Sequence, residues 1–123
     1  MIDHVSVSVS NLTLSEVFYS EVLSVLGFQL LDKKDRTIGF GKKYPEFWIN
    51  ERINLQSNQI SSGFHVCLRA KSIELVDQFF NTAIANGGKS DGLPGIRAKY
   101  DSNYYAAFIK DLDGNRIEVV TFT

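Results

Sequence analysis

The sequence predicts an α+β fold of two βαβββ modules, which together form a curved mixed sheet around a cavity. Three observations carry this. Asp3-His4-Val5-Ser6-Val7-Ser8-Val9 and Phe64-His65-Val66-Cys67-Leu68-Arg69-Ala70 each place a histidine near the start of an alternating segment. His4 and His65 are 61 positions apart, and the same offset relates Phe18 to Phe79, Tyr19 to Phe80 and Gly27 to Gly88. In each half, a helical pattern follows the first strand and shorter alternating segments follow the helix. One domain, residues 1–123, therefore divides into module 1 (about 1–55) and module 2 (about 62–123).

Within residues 2–9, Val5, Val7 and Val9 share one face and His4, Ser6 and Ser8 the other, because strand side chains alternate. Thr13-Leu14-Ser15-Glu16 fits a capping box, with Thr13 as N-cap and Glu16 reaching back. Leu14, Val17, Phe18, Val22, Val25 and Leu26 then recur at helical spacing as the expected buried stripe. Gly27 suits a left-handed helix end. Short strands are expected at Phe28–Asp32, Thr37–Gly41 and about Glu46–Asn50, and the polar stretch Glu51–Ser62 is the expected link.

In the second half, Ser72 is the expected cap of a helix burying Val76, Phe79, Phe80, Ala83 and Ile84, which stops at Gly87-Gly88. Residues 89–103 read equally as a long covering loop or as an extended edge strand. Tyr104–Lys110 and Arg116–Phe122 form a hairpin. A three-residue loop Leu112-Asp113-Gly114, with Gly114 left-handed, pairs Asp111 with Asn115 and sets Phe108 opposite Glu118. Tyr104, Ala106 and Phe108 then face the cavity and Tyr105 faces away. The alternative two-residue turn would set Ile109 opposite Glu118.

Composition narrows the function. A net charge of −1 and a pI near 6.1, with no basic stripe, argue against nucleic-acid and membrane-surface roles. The single cysteine, Cys67, leaves no internal disulfide and fits a reducing compartment. No apolar run reaches the length of a spanning helix and no signal-peptide pattern opens the chain, so the expectation is a soluble cytoplasmic protein.

The candidate chemistry lies at His4, His65 and Glu118, each on a strand face opposite its hydrophobic neighbours. Two imidazoles and a carboxylate with open positions make a facial triad suited to Fe(II), Mn, Zn, Ni or Co. Taken singly, each also reads as an ordinary hydrogen-bonded or solvent-facing strand residue; the repeated slot of the two histidines favours a site. Cys67 reads as a lining residue, a fourth ligand or a reactive thiol. Trp48 falls within a residue or two of the first-half counterpart of Glu118. Arg97, Lys99 and Arg69 read either as contacts to an anionic substrate or as solvated charges.

The chain resembles the vicinal oxygen chelate superfamily (glyoxalase I, extradiol dioxygenases, fosfomycin-resistance transferases and bleomycin-binding proteins). The resemblance rests on Ile2-Asp3-His4-Val5, Phe18-Tyr19, Val25-Leu26-Gly27-Phe28, Phe64-His65-Val66 and the run Ala107 to Glu118. That run matches the pattern F-x-x-D-P-D-G-N-x-I-E, with Leu112 in place of the usual proline. Pro45–Ile49 and Asn103–Phe108 resemble a small glyoxalase-like branch.

The resemblance implies the glyoxalase-like fold and a divalent metal (Zn, Ni, Mn or Fe) on His4, His65 and Glu118. Glu118 would also be catalytic, and Trp48, Tyr104, Phe108, Arg97 and Asn103 would bind a small oxygen-chelating substrate. It further implies a homodimer and lyase or isomerase chemistry with the metal as Lewis acid. Extradiol-type dioxygenation, thiol transfer and metal-free drug binding of the bleomycin-resistance type are the alternatives. Glyoxalase I adds a carboxylate ligand from the first half's last strand, near the slot that Trp48 takes here.

Overall fold

The computed structural model describes residues 1–55 and 63–123. Module 1 contains β1 (Val5–Val9), α1 (Leu12–Ser24), β2 (Gln29–Lys33), β3 (Thr37–Gly41) and β4 (Pro45–Glu51). Module 2 repeats the order with β5 (His65–Arg69), α2 (Ile73–Ala85), β6 (Lys89–Ile96), β7 (Tyr104–Lys110) and β8 (Arg116–Phe122). Each module makes a four-stranded mixed sheet, ordered β1-β4-β3-β2 and β5-β8-β7-β6. The β1–β4 and β5–β8 pairs are parallel and the rest antiparallel. This is the predicted βαβββ duplication, with residues 89–96 forming the edge strand of the second sheet.

The first helix starts two residues earlier than the capping-box reading placed it. Asn11 is the N-cap, its side chain accepting from the Leu14 amide at 3.0 Å, and the Glu51 carboxylate on β4 accepts from the Leu12 amide at 2.9 Å. Glu16 pairs with Lys33 at 2.8 Å instead of closing a box. The earlier start goes with a different buried face. Leu12, Ser15, Phe18, Tyr19, Val22 and Leu23 are buried, whereas Leu14 and Val17 are exposed. In α2, Ser72 does cap, accepting from the Leu75 amide, and Val76, Phe79, Phe80 and Ala83 are buried; Ile84 faces out. Most of the expected link lies outside the described residues, which run to Leu55 and resume at Gly63.

One hydrophobic core joins the modules, running from Val7 and Phe18 to Phe79, Ile109 and Val119. At their junction the Tyr19 hydroxyl donates to buried Asp111 at 2.6 Å, and the Asn115 side-chain amide donates to the Ser8 carbonyl at 2.8 Å. Asp111 also accepts from the amides of Asp113 and Asn115, at 2.9 and 2.8 Å. Burial raises its pKa, and these hydrogen bonds oppose the rise. Burial, followed by the charge of Asp111, pushes the Tyr19 hydroxyl well above the ordinary tyrosine range. The hairpin loop is the three-residue one: Gly114 has φ +91°, and the Asp111 amide donates to the Asn115 carbonyl. Phe108 accordingly pairs with Glu118.

No helix among the described residues is long and apolar enough to cross a membrane.

Candidate metal and substrate site

The register fixes what faces what. On β8, Ile117 and Val119 join the core, so Glu118 points to the face away from α2. Its strand neighbours are Cys67 on β5 and Phe108 on β7. The residue is only 3% exposed, so its carboxylate needs partners. It has them: His65 Nε2 lies 3.0 Å from Oε1, and the Tyr104 hydroxyl donates to Oε2. Burial, then the bond to Glu118, raises the Tyr104 pKa. Cys67, beside the same carboxylate, is pushed up to about 12, first by burial and then by the Glu118 charge. Its side chain is that of an exposed, free cysteine on the same face as His65 and Glu118.

Aromatic rings build the surroundings. Phe108 meets His65 edge-on with centroids 6.0 Å apart. Phe122 and Tyr100 both pack edge-on against Tyr104, at 5.3 and 5.1 Å. Tyr105 faces the opposite way, as the hairpin register predicts, and donates to Asp77 on α2 at 2.6 Å. The Arg97 guanidinium sits 5.5 Å from the Phe108 ring and donates to the carbonyls of Gly95 and Leu93.

Other candidates fall elsewhere. Asn103 lies in the turn before β7, where its amide donates to Asp101 and its carbonyl accepts from the Thr123 amide. Trp48 belongs to the first sheet. It pairs with Ser6 on β1 and Gly39 on β3, so close that a Cβ at Gly39 would lie 2.8 Å from its ring. His4 is exposed, with Nδ1 held at 2.7 Å by Asp3. His4 and His65 line one cavity of about 360 Å³ between the starts of β1 and β5, with Phe28, Phe47 and Phe64 in its wall. The sequence reading missed Phe122, although it follows Glu118 at strand period, and Phe64, whose place depends on how the two sheets meet.

Among the described residues, no three His, Cys, Asp or Glu side chains converge as a metal cluster. Part of the donor set nevertheless fits a divalent cation. His65 Nε2 and Glu118 Oε1, paired at 3.0 Å, are an imidazole nitrogen and a carboxylate oxygen, both donor types that a divalent cation takes. Tyr104 occupies the far carboxylate oxygen, and Asp3 holds His4 by Nδ1 and leaves Nε2 open, as outer partners of metal ligands do.

Comparison with known proteins agrees with this fold. The family model of the Glyoxalase/Bleomycin resistance protein/Dioxygenase superfamily matches residues 1–119, and the chain belongs to that superfamily. A glyoxalase/bleomycin resistance protein from Albidiferax ferrireducens T118 is 31% identical, with a TM-score of 0.85 over 96% of each chain. The fosfomycin resistance protein FosX from Listeria monocytogenes shares the fold at 17% identity and a TM-score of 0.74, over 100% of this chain and 93% of that one. A FosX variant solved with Mn(II) and 1S,2S-dihydroxypropylphosphonic acid is 16% identical, with a TM-score of 0.73 over 100% of this chain and 90% of that one. No curated protein sequence matches the chain.

Proposed function

We propose that this protein is a divalent-metal-dependent enzyme of the superfamily, acting as a lyase or isomerase on a small oxygen-chelating substrate. The observation that carries the reading is the buried Glu118, with His65 on one carboxylate oxygen and Tyr104 on the other. A carboxylate this buried is costly unless it is paired. Here its Oε1 and the imidazole of His65 stand side by side as two donors of the kinds a divalent cation takes. His65 and Glu118 would hold the cation, with His4 as the third donor. A divalent cation there supplies Lewis-acid polarisation of substrate oxygens. The Mn(II) complex of the FosX variant supports such a cofactor.

The chain's own residues have distinct tasks in this reading. Glu118 would act through the cation it helps to hold, and the Tyr104 hydrogen bond fixes the orientation of its carboxylate. Phe108 walls the site, and Arg97, lying over that ring, faces the substrate side. Trp48 serves as the aromatic wall of the first sheet. The protein works as a cytoplasmic homodimer. What supports a dimer is that β1 and β5 each end their sheet, with exposed Ile2 and Phe64 beside the cavity they flank.

The test is turnover by protein loaded in turn with Mn(II), Fe(II), Ni(II) and Zn(II). The panel is the hemithioacetal of methylglyoxal and glutathione, a catechol with oxygen, and an epoxide with a thiol. Metal-dependent turnover that Glu118→Gln abolishes is expected with the hemithioacetal. Turnover of the catechol or the epoxide instead would replace the lyase reading by dioxygenation or thiol transfer. Turnover by none of the loaded forms would contradict the enzyme reading and favour a binding protein.

A further inference from the structure

The cavity that His4 and His65 share reaches the core side of both edge strands. On β1, Val7 and Val9 are buried, whereas Val5 on the same face is only half-buried. On β5, Val66 and Ala70 are buried and Leu68 is only half-buried. Val5 and Leu68 both border the cavity, and the rings of Phe28, Phe47 and Phe64 extend its apolar wall. The hollow therefore leaves core-facing hydrocarbon uncovered on each side of the gap between the modules.

The same hollow has a polar side. Strand alternation sets His65 and Cys67 on the face opposite Val66 and Leu68, and His65 reaches Glu118 from there. A molecule lying in the cavity thus meets the proposed ligands at one end and hydrocarbon at the other. Among the described residues no lysine or arginine lines it, whereas Asp3 and Glu46 do. That lining favours an uncharged group over an anion on the apolar side. The volume of about 360 Å³ lies within the range of small-molecule pockets. A closed apolar cavity of roughly 150 Å³ already holds a benzene ring, so a ring and a pair of chelating oxygens fit together.

We propose that the substrate carries, beside its chelating oxygens, an uncharged apolar group of about phenyl size, which fills the hollow between Val5 and Leu68. The proposal rests on reading His4, His65 and Glu118 as the ligand set. The probes 1-phenylethane-1,2-diol and propane-1,2-diol present the same two oxygens and differ only in the side group. Each is titrated into isotope-labelled protein, metal-stripped and Zn(II)-treated, and followed by NMR of the backbone amides, which gives affinity and place together. The phenyl diol is expected to bind at least about tenfold tighter and to shift the amides of Val5 and Leu68.

Val5→Phe and Leu68→Phe fill the hollow from either strand. Each variant, with native circular dichroism, should lose the preference for the phenyl diol and keep Zn(II) uptake. A phenyl preference in protein that takes up no Zn(II) supports the hollow as the apolar site and removes only the metal reading. Equal affinity for the two diols, binding of neither, or shifts that leave Val5 and Leu68 untouched would overturn the proposal. So would an undiminished preference in a folded, filled variant.

Discussion

Trp48 and Glu118 occupy the same register position in the two sheets. Trp48 pairs with Ser6 and Gly39; Glu118 pairs with Cys67 and Phe108. Ser6 and Cys67 each stand two residues after the repeat histidine, so the duplication superposes an indole on a carboxylate. The glycine opposite Trp48 and the phenylalanine opposite Glu118 complete the exchange. In the first sheet the ring lies across Gly39; in the second, the ring stands beside the acid.

That packing makes Gly39 the sensitive position of the first sheet. A Cβ there would lie 2.8 Å from both the Trp48 ring and the Pro45 Cβ. Gly39→Val should destabilise the fold by about 1–3 kcal/mol through overpacking. Urea denaturation reads this directly, and combining it with Trp48→Ala should recover part of the loss.

The start of α1 gives a second prediction. Asn11→Ala should cost about 1 kcal/mol, because it removes the acceptor for the Leu14 amide. Thr13→Ala, one turn position inside the helix, should cost less than about 0.5 kcal/mol. Thermal or urea unfolding of the two variants separates the caps, and equal losses would restore Thr13 to the role its sequence context suggests.

These two positions show what the sequence could and could not disclose. The hairpin was legible, since Gly114 accepts a left-handed backbone and strict alternation fixes Phe108 opposite Glu118. The histidine slots follow from period two alone, and Tyr105's outward direction follows from period two together with the three-residue turn. The phase of α1 was not legible, because Asn11 and Thr13 are both good caps and the choice depends on Glu51, 39 residues from Leu12. Leu14 and Val17 therefore looked buried and are not. The seat of Arg97 was hidden for a similar reason. It depends on register shifts in β6, whereas the sequence left residues 89–103 readable equally as a covering loop or an edge strand.

The junction between modules is pH-sensitive in a defined direction. Asp111 has its folded pKa raised by burial above 3.8. The folded state then binds more protons than the unfolded state across that window. The contribution of Asp111 is fully present below the unfolded pKa and is lost as pH rises through the folded one. Urea midpoints measured from acid to neutral pH should show this fall in the native protein, and Asp111→Asn should remove that component.

Tyr104 tests the support of Glu118. Tyr104→Phe deletes the donor on Oε2 and leaves a buried carboxylate short of one bond, at about 1–3 kcal/mol of stability. Loss of such an outer partner typically weakens metal binding about 10–100-fold. Titration of Mn(II) into the variant should show that loss, whereas Tyr105→Phe, on the opposite face, should bind as the native protein does.

The central claim is that His65 and Glu118 belong to one metal centre. Its most direct test is calorimetric titration of Mn(II) and Zn(II) into tag-free, metal-stripped protein, beside His65→Ala and Glu118→Gln. About one ion per chain is expected for the native protein, with loss of binding in both variants and the fold retained. Native protein that takes up neither ion, or variants that bind as well as the native chain, would contradict it.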